Sequence, residues 1–161
     1  MPSRRRVWTS LVVLVGLVAL AQVVPVGTHP GNPPVTGEPA WDSPATRLLA
    51  KQACFDCHSN ETVWPGYARF APVSWLVEHD VREARSKLNF SEWDRPQDEA
   101  DEAAEVVGEG EMPPGLYTFM HAGARLSEAD RIALARGLTA TIGQGHEESG
   151  GERPESNEGR R

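Results

Sequence analysis

Apolar residues between positions 41 and 143 recur at intervals of three and four, the spacing of one face of an α-helix. The longest run follows Pro72, and its apolar positions are Val73, Leu76, Val77, Val81, Ala84 and Leu88. Another run follows Ser127, which is placed to cap a final helix together with Asp130. The inner face of that helix is predicted to consist of Ile132, Ala135, Leu138 and Ile142, with Gly143 as its end.

Two shorter helices are predicted from the residues at their ends. The first has Pro44 in its first turn, after a capping residue at position 42 or 43, and runs into Cys54. Its predicted apolar face contains Leu48, Leu49 and Ala53. The second extends from Gln97 to Val107 and is followed by Gly108 and Gly110. No segment alternates between apolar and polar residues with period two, so the sequence predicts an all-α fold.

The N-terminus has the form of a membrane-targeting segment. Arginines at 4–6 precede residues 7–26, which carry no charge and would be about 30 Å long as a helix, enough to span a bilayer. We predict a cytoplasmic N-terminus over residues 1–6 and a single-pass transmembrane anchor over residues 7–26. The alternative is a signal peptide cut after Ala19-Leu20-Ala21, but valines at 23, 24 and 26 prolong the apolar run past that point. Either interpretation places the remaining chain outside the cytoplasm, as in a periplasm.

Composition and charge separate a folded part from its flanks. Residues 27–40 are rich in proline and glycine and are predicted to form an extended stalk, and residues 144–161 a disordered tail. The predicted folded domain is therefore residues 41–143, with a core thin enough to gain from a large buried cofactor. The net charge of the 161-residue chain is −7, which argues against nucleic acid as a partner. Two cysteines are too few for a disulfide-rich scaffold.

One motif carries specific chemistry, the segment Cys54-Phe55-Asp56-Cys57-His58. Two thiols on one helical turn can reach the two vinyl groups of a single haem, and the next residue then places an imidazole on the iron. The motif therefore predicts covalent haem c on Cys54 and Cys57, with His58 as the proximal iron ligand. A thioredoxin-like disulfide is one alternative, but no βαβ pattern surrounds the pair. A zinc site is the other, but a second cysteine pair is missing.

A haem iron held by one histidine needs a sixth ligand or keeps an open site. Met112 is the preferred candidate because the following prolines, at 113 and 114, keep its segment out of a helix and support the thioether. Met120 is the alternative thioether, although a lone methionine commonly fills a core. His79 and His121 are the alternative imidazoles, and His79 stands among charged residues typical of a solvated surface.

Several blocks of sequence resemble a known family. They are Asn32-Pro33-Pro34-Val35, Cys54 to Asn60, Trp64, Ala71-Pro72-Val73-Ser74-Trp75, Asn89-Phe90-Ser91-Glu92-Trp93 and Glu111-Met112-Pro113. Over about residues 22–142 the chain resembles the bacterial haem-binding-domain family of membrane-anchored, single-haem c-type cytochromes. The resemblance implies a cytochrome c-like helical fold wrapped around haem c, and it implies His58 and Met112 as the axial pair.

These features predict an electron carrier rather than an enzyme. A His/Met haem has no open position for a substrate, so it exchanges electrons with redox partner proteins near the membrane. The alternative is a haem peroxidase or a gas or redox sensor, which would need an open sixth site and a distal group such as His79 or His121. A role in which haem merely passes through is a third possibility, and thioether attachment argues against it.

Overall fold

The computed structural model describes residues 4–23 and 31–149, excluding the side chains of residues 144–149. Its helices are α1 (Arg4–Ala21), α2 (Pro44–Ala53), α3 (Phe55–His58), α4 (Val73–Lys87), α5 (Ala103–Glu109), α6 (Gly115–Met120) and α7 (Glu128–Ser149). Short 3₁₀ helices cover Gly66–Arg69 and Ala122–Ala124. The described ranges contain no β-strand beyond an isolated bridge between Gly37 and Glu92, which confirms the all-α prediction.

The core lies where α7 packs against both α5 and α2, and α3 connects α2 to α4. Its fully buried residues include Ala50, Phe55, Phe90, Val107, Leu134 and Leu138. Aromatic rings form one side of this core: the ring of Phe90 stacks on Phe55 at 5.8 Å and on Trp93 at 6.0 Å. Because Phe55 lies between Cys54 and Cys57, the segment that carries both cysteines packs directly against the hydrophobic core.

The predicted helix caps are confirmed. The Ser43 hydroxyl accepts a hydrogen bond from the Thr46 amide at 3.1 Å, with Pro44 in the first turn of α2. At the start of α7 the Ser127 hydroxyl accepts from the Asp130 amide at 3.1 Å and donates to the Asp130 carboxylate at 2.6 Å. Caps are predictable because their hydrogen bonds join residues only three apart.

The predicted apolar faces are partly wrong. Leu48 in α2, Val73 and Leu76 in α4 and Ile132 in α7 are exposed, Leu48 to 67 %. The side of α4 that faces the molecule instead contains Ser74, Val81 and Arg85, two of them polar. Fewer of the apolar residues of α4 are buried than their spacing predicts, because polar side chains occupy part of its buried side.

Two predicted helix boundaries are also wrong. α5 begins at Ala103 rather than at Gln97, because the Gln97 carboxamide binds backbone groups of residues 89, 92 and 95 and holds this segment in turns. α7 continues past Gly143 to Ser149, into the predicted tail, and residues 150–161 lie outside the described chain. Gly110 does end α5, with a left-handed φ of 81°. The short helix α6 was not predicted.

Residues 31–40 contradict the prediction of an extended stalk, because they pack on the domain. The Thr36 amide donates to the Ser91 carbonyl at 2.9 Å, and the Trp93 amide donates to the Gly37 carbonyl at 2.9 Å. The Pro34 carbonyl accepts from the Asn60 side chain at 2.9 Å. This proline-rich segment forms neither helix nor strand, yet polar groups distant in sequence satisfy its backbone.

The N-terminal segment is helical, but the spanning helix predicted over residues 7–26 is not found. α1 begins within the arginine triplet and ends at Ala21, and residues 24–30 are outside the described chain. Throughout the ranges that the structure describes, no helix has the length and apolarity needed to cross a membrane. The Gln22 side chain follows α1 and hydrogen bonds both the amide and the carbonyl of Ala71, at 3.1 and 2.8 Å.

Candidate haem site

Cys54 lies at the junction between α2 and α3, and Cys57 lies within the single turn of α3. Cys54 ends α2 and begins α3, and its carbonyl accepts hydrogen bonds from the amides of Cys57 at 3.1 Å and His58 at 2.8 Å. Phe55, between them, points into the hydrophobic core and is 2 % exposed. The buried ring fixes the turn, so the two free thiols and the His58 ring all reach one cleft on the other side.

The His58 ring is oriented by the backbone of the segment after α4. Its Nδ1 lies 3.1 Å from the Leu88 carbonyl oxygen, and this contact assigns the ring proton to Nδ1 and leaves Nε2 as a lone-pair donor. Burial lowers the pKa of His58, while its hydrogen bonds to the carbonyls of Leu88 and Ala84 oppose that shift. A neutral imidazole with a free Nε2 is the form that binds a metal.

A buried polar network fixes the backbone that follows His58. The Phe90 amide donates to the His58 carbonyl at 2.8 Å, and the Asn60 amide donates to the Ser91 hydroxyl at 2.9 Å. The Asn89 side chain donates to the Asn60 carboxamide at 3.0 Å. Asn60 and Asn89 are at most 3 % exposed, so they act as rigid supports for the histidine turn.

Both thiols are held in their protonated form. Burial raises the pKa of Cys54 to about 12, with a smaller contribution from Cys57. Burial also raises the pKa of Cys57 to about 11, with contributions from the charges of Asp56 and Asp80. Such thiols are weak metal ligands in the absence of an activating cation. Among the side chains that the structure describes, in residues 4–23 and 31–143, no group of three or more His, Cys, Asp or Glu is arranged to hold a metal ion.

The cleft beside this turn brings together all four predicted site residues, Cys54, Cys57, His58 and Met112. The rest of its wall includes Ala53, Leu88, Phe90, Val106, Val107, Pro113, Tyr117 and Leu138. Its volume is about 180 Å³, well above the roughly 30 Å³ that one water molecule occupies in the liquid. The mostly apolar wall suits a large, flat, hydrophobic group.

Met112 reaches the cleft from a loop between α5 and α6. The amides of Glu111 and Met112 both donate to the Val106 carbonyl, at 2.9 and 3.1 Å, which turns the chain back over the end of α5. Gly110 permits this reversal through its positive φ. Met112 stays outside any helix, as predicted, and is 38 % exposed while lining the cleft together with Pro113.

The other candidate ligands do not line this cleft. His79 is exposed on α4, and its Nε2 lies 3.3 Å from the Glu83 carboxylate. Both ring nitrogens of His121 have partners, with Nε2 3.2 Å from the Tyr67 hydroxyl and Nδ1 3.1 Å from the Tyr117 carbonyl. Met120 is 54 % exposed, so the expectation that it fills the core is wrong.

A comparison with protein-family models matches residues 14–140 to the haem-binding domain. The chain belongs to this family. The match covers most of the 161 residues and includes every side chain named above as part of the cleft wall. Neither the curated proteins nor the solved structures contain a significant match to the chain.

The residues of the cleft fit a haem. Cys54 and Cys57 present thiols three residues apart, His58 presents Nε2, and an apolar wall suits the porphyrin faces. The two cysteines and His58 are recognisable from the sequence because they are close together in the chain, and Met112 is recognisable from the prolines that follow it. The hydrogen bond from the Tyr117 hydroxyl to the Asp56 carboxylate, 2.6 Å long, has no such signal, because no motif connects two residues 61 positions apart.

Proposed function

We propose that the protein is a single-haem c-type cytochrome that carries electrons and is not an enzyme. Thioethers from Cys54 and Cys57 would hold the haem, and His58 and Met112 would be the axial ligands, as in a cytochrome c-like domain. The observation that carries the proposal is that these four side chains, from two segments more than fifty residues apart, line a single apolar cleft.

The chemistry that a bound haem supplies is the reversible gain and loss of one electron. The chain contributes burial and orientation: His58 is held by the Leu88 carbonyl, and the mostly apolar wall would cover the faces of the bound group. A thioether from Met112 would favour a higher reduction potential than a second imidazole. With both axial positions filled, no position would remain for a substrate, and electron exchange with a partner protein would be the only reaction.

We also propose that the domain works outside the cytoplasm, on the periplasmic side of the inner membrane. Three arginines followed by an uncharged apolar stretch are the features of an export segment. The partner would be another redox protein and not nucleic acid, because the net charge of −7 would repel a phosphate backbone.

Covalent attachment is tested by acid–acetone extraction of the purified holoprotein. Haem is expected to stay with the polypeptide of the wild-type protein, because thioether bonds resist this treatment. Cys54→Ala and Cys57→Ala variants are each expected to retain haem less securely, and the double variant to yield no covalent holoprotein. Complete extraction of haem from the wild-type protein would contradict the c-type assignment.

Axial ligation is tested by the absorption spectrum of the oxidised protein, which is expected to show the weak far-red band of a sulfur–iron bond. Met112→Ala should abolish this band, lower the reduction potential and open the iron to carbon monoxide. Met120→Ala is the matched control, since this second methionine is more than half exposed and lies outside the cleft wall. It should leave the band unchanged and should alter the free energy of unfolding by less than about 0.5 kcal/mol.

The alternative functions predict a different outcome for the same experiment. A peroxidase or sensor would lack the far-red band and would bind carbon monoxide readily in the wild-type protein. Neither candidate for its distal group, His79 or His121, is part of the cleft wall, and we therefore favour the electron carrier.

A further inference from the structure

The helix that follows the Met112 loop has no hydrophobic anchor of its own. None of the α6 residues is buried, and Leu116, Phe119 and Met120 are exposed to 72, 76 and 54 %. Among the described helices, α6 packs only against the 3₁₀ helix that directly follows it. Apart from the half-buried ring of Tyr117, apolar burial therefore contributes little to holding α6, and with it the preceding loop, against the rest of the molecule.

Two side-chain contacts provide the connection instead. The Tyr117 hydroxyl donates to Asp56 Oδ2 at 2.6 Å, and Asp56 lies between the two cysteines. One turn later, His121 Nε2 lies 3.2 Å from the hydroxyl of Tyr67, which belongs to a 3₁₀ helix near the cysteine turn. The His121 ring also stacks on the ring of Tyr117 at 4.3 Å, so the two contacts form one unit, which we call the tyrosine clasp.

The hydrogen bond between Tyr117 and Asp56 in this clasp is expected to be stable. Burial, the hydrogen bond to Asp56 and the charge of Asp56 together raise the pKa of Tyr117 well above its ordinary value, so its hydroxyl remains a donor. The other oxygen of Asp56 accepts from the Val63 amide at 2.9 Å, which fixes the carboxylate from the opposite side. A hydrogen bond to a charged and positioned acceptor is stronger than one between neutral groups.

We propose that Tyr117, through its bond to Asp56, is the positioning residue that holds the Met112 loop over the haem cleft and thereby sets how often the sixth position opens. This inference rests on the proposed His58–Met112 ligation. Tyr117 lines the same cleft and stands five residues after Met112, with two prolines between them. A short, stiff connection of this kind transmits the position of the ring to the thioether.

The clasp also connects the two halves of the site. Asp56 belongs to the turn that carries both thiols and His58, whereas Met112 and Tyr117 belong to the opposite wall. A rigid bond between the two walls fixes the distance between the axial ligands without a contribution from the iron. Its loss would leave the haem attached and His58 in place, and would release only the distal side.

Tyr117→Phe of the holoprotein tests the proposal, because it removes the hydroxyl and keeps the ring. The far-red band should weaken or vanish on warming at a lower temperature than in the wild-type protein. The rate of carbon monoxide binding to the reduced protein should rise by a factor on the order of ten to a hundred. A factor of this size corresponds to the free energy that a hydrogen bond to a charged group contributes. The amides of Thr118 and His121, which close the first and the last turn of α6, should exchange with solvent faster by a similar factor.

Two further variants separate positioning from general damage. Leu116→Ala changes an exposed side chain of the same helix and should leave the band, the binding rate and the exchange unchanged. Asp56→Asn keeps one carbonyl acceptor but removes the charge, and it should shift all three readouts in the direction of Tyr117→Phe by a smaller factor.

The outcomes distinguish the clasp from the proposed function. If the wild-type protein shows the far-red band, and Tyr117→Phe changes neither the rate of carbon monoxide binding nor the amide exchange, the positioning role of Tyr117 is wrong while Met112 remains the ligand. If the wild-type protein lacks the band but Tyr117→Phe accelerates exchange in α6, the clasp holds the loop and the proposed axial pair is wrong. Equal effects of Leu116→Ala and Tyr117→Phe would overturn the positioning role.

Discussion

Arg85 shows how a single buried residue stabilises the segment that follows His58 in the candidate haem site. It lies on the inward side of α4, and its side chain donates to the Ser59 carbonyl at 2.8 Å and to the Thr62 hydroxyl at 2.8 Å. Longer bonds reach Asn32 Oδ1 at 3.2 Å and the Gly31 carbonyl at 3.3 Å. The residue is 9 % exposed, and burial lowers its pKa. Its acceptors are neutral oxygens, so the guanidinium acts as a fork that joins three segments.

Replacing Arg85 by methionine should lower the free energy of unfolding by about 3 kcal/mol, because several buried acceptors lose their donor. Arg85→Lys should recover only part of this loss, since an ammonium group lacks the planar fork. Urea unfolding of the holoprotein measures both. Arg82→Met on the same helix is the control: Arg82 is exposed, its nearest carboxylate contact is 3.9 Å long, and a change below about 0.5 kcal/mol is expected. Equal losses at the two positions would contradict the role of Arg85.

At the residue scale, predictability follows distance along the chain. Cys54, Cys57 and His58 are predictable because the chemistry of haem attachment fits within five consecutive residues. Arg85 is not predictable, because the segments that it joins include residues 23 to 54 positions away. An isolated arginine beside apolar residues gives no signal of burial, since long charged side chains usually reach the surface.

At the scale of helices, α2 and α7 are in close contact at Gly137 of α7. A Cβ added there would overlap the Thr46 side chain of α2. Thr46 is 4 % exposed, and its hydroxyl lies 3.0 Å from that of Ser43, so it cannot turn away without disturbing the cap of α2. This glycine is required by the packing of the two helices and not by its backbone conformation.

Gly137→Ala should therefore destabilise the protein by about 1–3 kcal/mol, although alanine is the better helix former. Gly143→Ala is the matched control in the same helix, because nothing lies within 4 Å of its added Cβ. There alanine should stabilise by up to about 1 kcal/mol. Thermal unfolding of both variants gives the comparison. Two stabilised variants would show that α2 and α7 are further apart than the structure places them.

The helices themselves show why their caps are easier to predict than their buried faces. Ser43 and Ser127 act on amides three residues away, so the sequence contains the whole signal. Leu48 and Leu76 have the correct spacing for a buried face, but no neighbouring element covers them. The late start of α5 depends on the Gln97 side chain, which binds backbone groups up to eight residues away. Tertiary contacts thus override local propensity at these positions.

At the scale of the molecule, residues 31–40, which precede the predicted domain, pack against it and are part of the fold. Glu38 fixes this segment on α2: its carboxylate accepts from Arg47 Nε at 2.7 Å and Nη2 at 2.6 Å, and from Trp41 Nε1 at 2.8 Å. The segment looks like a stalk in sequence because its prolines prevent regular structure. The partners that make it part of the fold are contributed by residues 41–94, and composition carries no information about them.

The Glu38–Arg47 contact should make stability depend on pH. The hydrogen bond from Arg47 lowers the pKa of Glu38 below its ordinary value of 4.5, against the opposing effect of burial. A carboxyl group with a lower pKa in the folded state stabilises that state above its unfolded pKa, and loses this effect as the pH falls through the folded pKa. Glu38→Gln should thus cost about 1–2 kcal/mol near pH 7, and the difference from the wild-type protein should shrink as the pH falls below about 4.5.

The control for this prediction is a second contact between α2 and a glutamate. Lys51 Nζ lies 3.1 Å from the Glu61 carboxylate, but the lysine side chain is 49 % exposed and the contact is not bidentate. Glu61→Gln should change stability by no more than about 0.5 kcal/mol at any pH, because solvent screens such pairs. Urea unfolding of the three proteins between about pH 7 and pH 3.5 decides the matter. A Glu38→Gln difference that stays constant over this range would mean that the segment is held by its backbone hydrogen bonds to Ser91 and Trp93, without a contribution from the carboxylate charge.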